Sequence, residues 1–161
     1  MAASGLYTKA SDLTALEDTL NKRWAVHLDS GTGAGKADLR FTDTRTLSAS
    51  ATEDLDLSGS LLDSFGAALA FVKVKGLFIK AADGNTNNVV IGAAAANPWT
   101  ALLGATGTIV VRPGMTVGAM CGAADVTCLA VVPGTGDLLK AANSAGGTSV
   151  TYDIVIIGSS V

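Results

Sequence analysis

Apolar positions change their rhythm once along this chain, near residue 24. Before that point Leu13, Leu16, Leu20 and Trp24 recur at spacings of three and four, the repeat that stacks side chains on one face of a helix. Thr8 or Ser11 can cap its start, Asp12 falls in the first turn, and Lys22 and Arg23 fall near the end, an order that suits the helix dipole. The pattern predicts a short amphipathic α-helix that is marginal alone and must dock its apolar face.

After Trp24 the helical period does not return. Trp24–Leu28 reads as a short strand leading into the loop Ser30-Gly31-Thr32-Gly33-Ala34-Gly35. Leu39–Phe41, Thr44–Ser50 and the alternating Glu53-Asp54-Leu55-Asp56-Leu57 read as extended. Ala68–Lys80 carries the strongest strand signal, with Gly76 marking a bulge or bend inside it. Further strands are expected at Val89–Ile91, Thr108–Val111, Met115–Met120, Cys128–Val132, Leu138–Leu139 and Ser149–Ile157. Asp83–Thr86, Pro113-Gly114 and Pro133-Gly134 supply the turns between them.

No helical stretch alternates with these strands, so a parallel α/β sheet is disfavoured. The expected fold is mainly β, an antiparallel β-sandwich of jelly-roll-like kind with a short N-terminal α-helix. Residues 1–37 form an arm of helix, short strand and glycine-rich loop, and residues 38–161 form the sandwich domain.

Charge sharpens this division. Residues 1–83 hold 20 of the 25 charged side chains, and none occurs from Gly84 to Val111. Two readings are open: the charge-poor half is covered by identical subunits or a partner, or it is a β-domain surfaced with Ser, Thr, Asn and Gly. Net charge is −3 with no basic stripe, which argues against a nucleic-acid partner. The run Val89–Ala96 is far shorter than the roughly 20 residues a bilayer requires, and Met1–Ala10 lacks the apolar stretch of a signal peptide. A soluble protein made in the producing cell's cytoplasm is expected. In that reducing setting Cys121 and Cys128 are read as buried thiols in preference to a disulfide, although a hairpin across their six-residue spacer could bring them together.

Candidate chemistry adds little. Gly35-Lys36 after a strand invites comparison with a phosphate-binding loop, but Ser30 stands where the first glycine belongs and Ala37 where a hydroxyl belongs. His27 is the single histidine, and a G-x-S-x-G elbow is absent. Glu53, Asp54 and Asp56 form an acidic cluster that a cation could use, but the alternation through Leu55 favours a strand face over a ligand loop. No enzyme, cofactor or metal ion is therefore expected. The candidate interaction surface comprises Leu13, Leu16, Leu20, Trp24 and Trp99.

A set of short segments carries a resemblance. Asp43–Leu47, Ala51–Ser60, Val72–Lys80, Asn88–Gly92, Arg112–Gly114, Thr135–Lys140 and Thr151–Gly158 occur in an order that resembles small head-associated virion proteins of tailed bacteriophages. Members of that group are similar to jelly-roll capsid decoration, or cement, proteins. The resemblance covers roughly residues 38–158 and implies a non-enzymatic role at the virion's capsid surface. There the protein would bind the major capsid protein, as a homo-oligomer with a trimer preferred. Alternatives are a tail or fibre component and, from another class, a carbohydrate-binding β-sandwich module.

Overall fold

The computed structural model describes residues 2–161. The chain runs through β1 (Ala2–Ala10), β2 (Ala15–Arg23), β3 (Asp29–Ser30), β4 (Lys36–Ala37), β5 (Leu39–Leu47), β6 (Thr52–Asp56), β7 (Leu61–Leu62) and β8 (Ala68–Leu69). It continues through β9 (Lys73–Ala81), β10 (Val89–Gly92), helix α1 (Thr100–Leu103), β11 (Thr108–Val111), β12 (Thr116–Met120), β13 (Leu129–Ala130), β14 (Leu138–Asn143) and β15 (Val150–Ser159). The protein is mainly β, and its principal sheets are antiparallel. Among the described residues no helix is long and apolar enough to cross a membrane.

The short N-terminal α-helix expected from Leu13, Leu16, Leu20 and Trp24 is not formed. β1 and β2 instead make an antiparallel hairpin in register from Ala2 opposite Arg23 to Ala10 opposite Ala15. The reason lies in the spacing. Leu16, Leu20 and Trp24 are four apart, and a step of four returns to the same side of a strand as well as of a helix. The step from Leu13 to Leu16 alone demands a helix, and Leu13 lies in the hairpin loop, where it is 98% exposed. Trp24–Leu28, expected as a strand, is an irregular linker.

The body has two main sheets. One has the order β12-β9-β15-β5, with β13 also pairing β9, and the other has the order β11-β10-β14-β6. Alternation fills the space between them. Val150, Tyr152, Ile154 and Ile156 of β15 join Ile79, Leu77 and Phe41 of their own sheet, and meet Leu55, Val89, Ile91, Val111 and Leu139 of the other in one core. The layers are thus sandwich-like.

Strand β9 contains the bulge that Gly76 signalled. Ile157 of β15 stands opposite Gly76, but Gly158 stands opposite Val74, which leaves Lys75 without a partner. The extra residue resets the alternation, so Val74 and Leu77, three apart, both point into the core.

Much of the charge-poor span is accounted for inside this fold. Val89, Ile91, Ala94, Trp99 and Val111 are buried, and Asn87 donates to the Asn143 side chain and to carbonyls of the 145–148 turn. Trp99 is accordingly corrected from a surface position to a core one. It is 5% exposed, and its indole Nε1 donates to the Ala130 carbonyl at 2.8 Å. That carbonyl gives the one polar atom of the ring a partner, which is the usual condition for burying an indole.

Candidate interaction surface

All eighteen strand residues of the β1–β2 hairpin are exposed, so both of its faces meet solvent. Residues paired across the two strands share a side. Leu16, Tyr7 and Leu20 therefore lie on one face, beside Lys9, Asp18, Lys22 and the side-chain-free Gly5 opposite Leu20. The other face carries Leu6 among Ala, Ser, Thr, Glu17, Asn21 and Arg23. Of the sequence-selected surface residues, Leu16, Leu20 and Trp24 are each more than half exposed and lie along β2 and its continuation. The sequence reading missed Leu6 and Tyr7, which are 62% and 67% exposed. Tyr7-Thr8 was the available signal, since both residue types favour strands.

The glycine loop that follows the hairpin and its linker is fixed by one buried cation. Lys75, the unpaired bulge residue, is 4% exposed. Its Nζ donates to the carbonyls of Gly33 at 2.8 Å and Thr32 at 3.2 Å, and also to that of Lys36. The glycine loop between β3 and β4 thus turns its carbonyl oxygens onto an ammonium, the opposite of a phosphate cradle, which turns backbone N–H groups toward its ligand. Gly31 and Gly35 have φ of +127° and +65°, a region other residues rarely adopt, and this lets the loop curl.

The loop 121–128 packs beside it, with the Ala123 carbonyl against Gly35. Cys121 and Cys128 are joined as a disulfide, their Cα atoms 5.8 Å apart, which corrects the expectation of free thiols. The local cause is Asp125. Its carboxylate accepts from the backbone N–H of Cys128 and from the Oγ1 and N–H of Thr127, closing the turn that brings the cysteines together. Those same bonds, Cys128 N–H foremost, hold the Asp125 carboxyl below its ordinary pKa. Asp125 and the two sulfurs are also the one cluster of metal-ligand types among the described residues. With both sulfurs in the disulfide, no thiolate is left there to bind a metal.

The acidic cluster is divided among separate tasks. Glu53 Oε2 accepts from Arg45 Nε and its Oε1 accepts from the Tyr152 hydroxyl, both at 2.7 Å. Asp56 accepts from the N–H and Oγ of Ser58. Asp54 is exposed on β6. Glu53, Asp54 and Asp56 therefore do not converge on a common point. Partial burial opposes the charge of Arg45, but hydrogen bonds to Glu53 and Asp43 outweigh it and raise its pKa. Burial, then the bond to Glu53, pushes the Tyr152 phenol far above its ordinary value. The trio ties β5 and β15 of one sheet to β6 of the other. His27 is exposed on the linker and contacts Asp29 at 3.1 Å. The described residues place no serine or cysteine nucleophile in hydrogen-bond contact with it.

The outer face of the larger sheet is the second exposed apolar region. Thr42, Val155, Phe78 and Gly118 stand in one cross-strand row, and Arg40, Ile157, Gly76 and Met120 in the next. A Cβ on Gly118 would come within 2.5 Å of the Phe78 ring, so the glycine is what lets that ring lie across β12. Trp24, Ala25 and Val26 border this row and leave a groove of about 470 Å³ against Phe78, Gly118 and Met120. A second groove, of about 550 Å³, shares Val26 and Met120 with the first and runs on past Ile157, Leu39, Leu69 and Phe65. The chain matches no known family model, no curated protein and no solved structure.

Proposed function

We propose that this chain is a non-enzymatic structural protein of a tailed-phage virion, one that decorates and reinforces the outer surface of the capsid. The observation that carries the reading is the strand order. Reduced to β5, β6, β9, β10, β11, β12, β14 and β15, the body has eight antiparallel strands in two sheets of four, with first, last, third and sixth strands together in one. This is the jelly-roll arrangement, which occurs in capsid and lectin domains, and fold by itself leaves function open.

Two further features favour a binding role over catalysis. The carboxylates of the acidic cluster are engaged in separate hydrogen bonds or face solvent. The arm and its continuation gather exposed Leu6, Tyr7, Leu13, Leu16, Leu20 and Trp24, and Phe65 stands exposed at the groove, the kind of surface used for assembly. The partner would be the major capsid protein, with the decoration protein acting as a homo-oligomer, a trimer in preference.

Purified particles split into heads and tails test this directly. The protein should remain on heads at a fixed copy number per capsomer, and heads lacking it should rupture at lower temperature. Its recovery on tails alone would make it a tail or fibre component. Its absence from particles, with saturable binding on a glycan array, would make it a carbohydrate-binding module.

A further inference from the structure

We infer that the β1–β2 hairpin is an exchange arm, whose Tyr7-Leu16-Leu20 face occupies the groove on the outer sheet face of a second copy of this chain. The inference deepens the homo-oligomer in the proposed function by naming both surfaces, and it stands or falls separately from attachment to a capsid.

Three observations lead to it. The hairpin is fully formed but exposed on both faces, and an isolated two-stranded hairpin is at best marginal in water, so an occupant is missing from it. The same chain presents an unfilled apolar groove. Val26 and Met120 join its two parts, half-buried Phe78, Val155 and Ile157 belong to the sheet face beneath, and Phe65 stands 96% exposed at one end.

Charge is the third. The apolar face of the arm carries Lys9, Lys22 and Asp18, a net +1. Asp29, Asp38 and Asp63 with Arg40 and Arg23 line the two parts of the groove, a net −1. The arm therefore suits another copy's groove in sign as well as in hydrophobicity.

Area favours reciprocity. Nine residues per strand span about 30 Å, and a two-stranded ribbon about 10 Å wide covers roughly 300 Å². A stable interface buries about 600–1,000 Å² on each partner, which one arm in one groove does not reach. When every copy both gives an arm and receives one, the covered area per copy doubles to about 600 Å², and Leu13 and Phe65 add to it.

Equilibrium sedimentation of the full-length chain tests the inference, alone and with two variants. Wild type should be oligomeric at micromolar concentration. Leu16→Asp with Leu20→Asp spoils the arm, and Phe65→Asp spoils the groove from a position whose exposure leaves folding intact. Each variant should lower the association constant at least tenfold, with an unchanged melting temperature. Mixed together they should re-associate only in part, because the intact arm of one fits the intact groove of the other through a single contact and the reciprocal one is lost.

A monomeric wild type overturns the inference. So does an oligomer insensitive to the arm variant. Loss of association in the arm variant alone, with Phe65→Asp as oligomeric as wild type, also overturns it, because it points to arms pairing with arms. A monomer that binds capsids through its arm would transfer the occupant to the shell, leaving capsid decoration standing while the homo-oligomer and the exchange both fail.

Discussion

The hairpin β1–β2 and the strand pair β9–β15 make the same kind of backbone ladder over similar lengths, with opposite consequences for their side chains. In β15 every second residue from Val150 to Ile156 is buried, whereas in β1 and β2 no residue is. Hydrogen bonding alone therefore does not separate the two regions. What separates them is a second layer: β15 has the opposing sheet across a shared core, and the hairpin has solvent on both sides. Net hydrogen-bond stabilisation is modest, so stability in this chain is expected to reside almost wholly in the body.

That contrast can be broken most forcefully at the centre of β15. Ile154→Ala, at 1% exposure, should cost about 2–5 kcal/mol in urea unfolding through lost burial and the cavity left behind. A loss below 1 kcal/mol would mean that the two sheets do not pack as described.

Next in size is Lys75→Met, which keeps the length of the side chain and deletes the ammonium. Three carbonyls lose their donor, and the expected cost is about 1–3 kcal/mol. Amide exchange over residues 29–37 should accelerate, while the centre of β15 stays protected.

A pH titration sharpens the same distinction within the body. Tyr152 has its phenol pKa raised by burial, so the folded state holds a proton that the unfolded chain releases above pH of about 10. The associated stability is complete below that pH. It falls above it, by about 1.4 kcal/mol per pH unit, until the folded phenol ionises. Tyr152→Phe should be less stable than wild type near neutrality, through loss of the Glu53 hydrogen bond, and should show a shallower decline above pH 10. An unchanged alkaline slope would assign that decline to other groups.

The smallest effect is expected from the largest deletion. Removing residues 1–23 should change the unfolding free energy of the body by no more than about 0.5 kcal/mol, the range of surface substitutions that touch nothing. Unfolding of the truncated chain would show that the arm supports the core.

These contrasts also explain which parts of the molecule were legible in the sequence. β11 was readable to the residue, and β10, β12 and β15 to within one or two, because short apolar runs between turn residues carry a period-two signal. The bulge at Lys75-Gly76 was readable from its glycine. The arm reads as a helix in the sequence because steps of four satisfy both periods, and only a partner surface distinguishes them. Trp99 carried no signal of its depth, since its burial depends on β13, far away in sequence. A reducing compartment argues against pairing Cys121 with Cys128, whereas the local turn around Asp125 brings them together. The role of Lys75 was hidden because its contacts are to carbonyls some forty residues earlier.

That last arrangement has an implication for protein engineering. An ammonium that binds only main-chain oxygens does not register which side chains the loop carries. Provided Gly31 and Gly35 keep the curl, Thr32, Gly33 and Ala34 form a site whose shape is dictated from outside and whose sequence is free to vary. A short foreign epitope grafted across those three positions should be displayed in a fixed conformation, anchored by a lysine that belongs to a different strand.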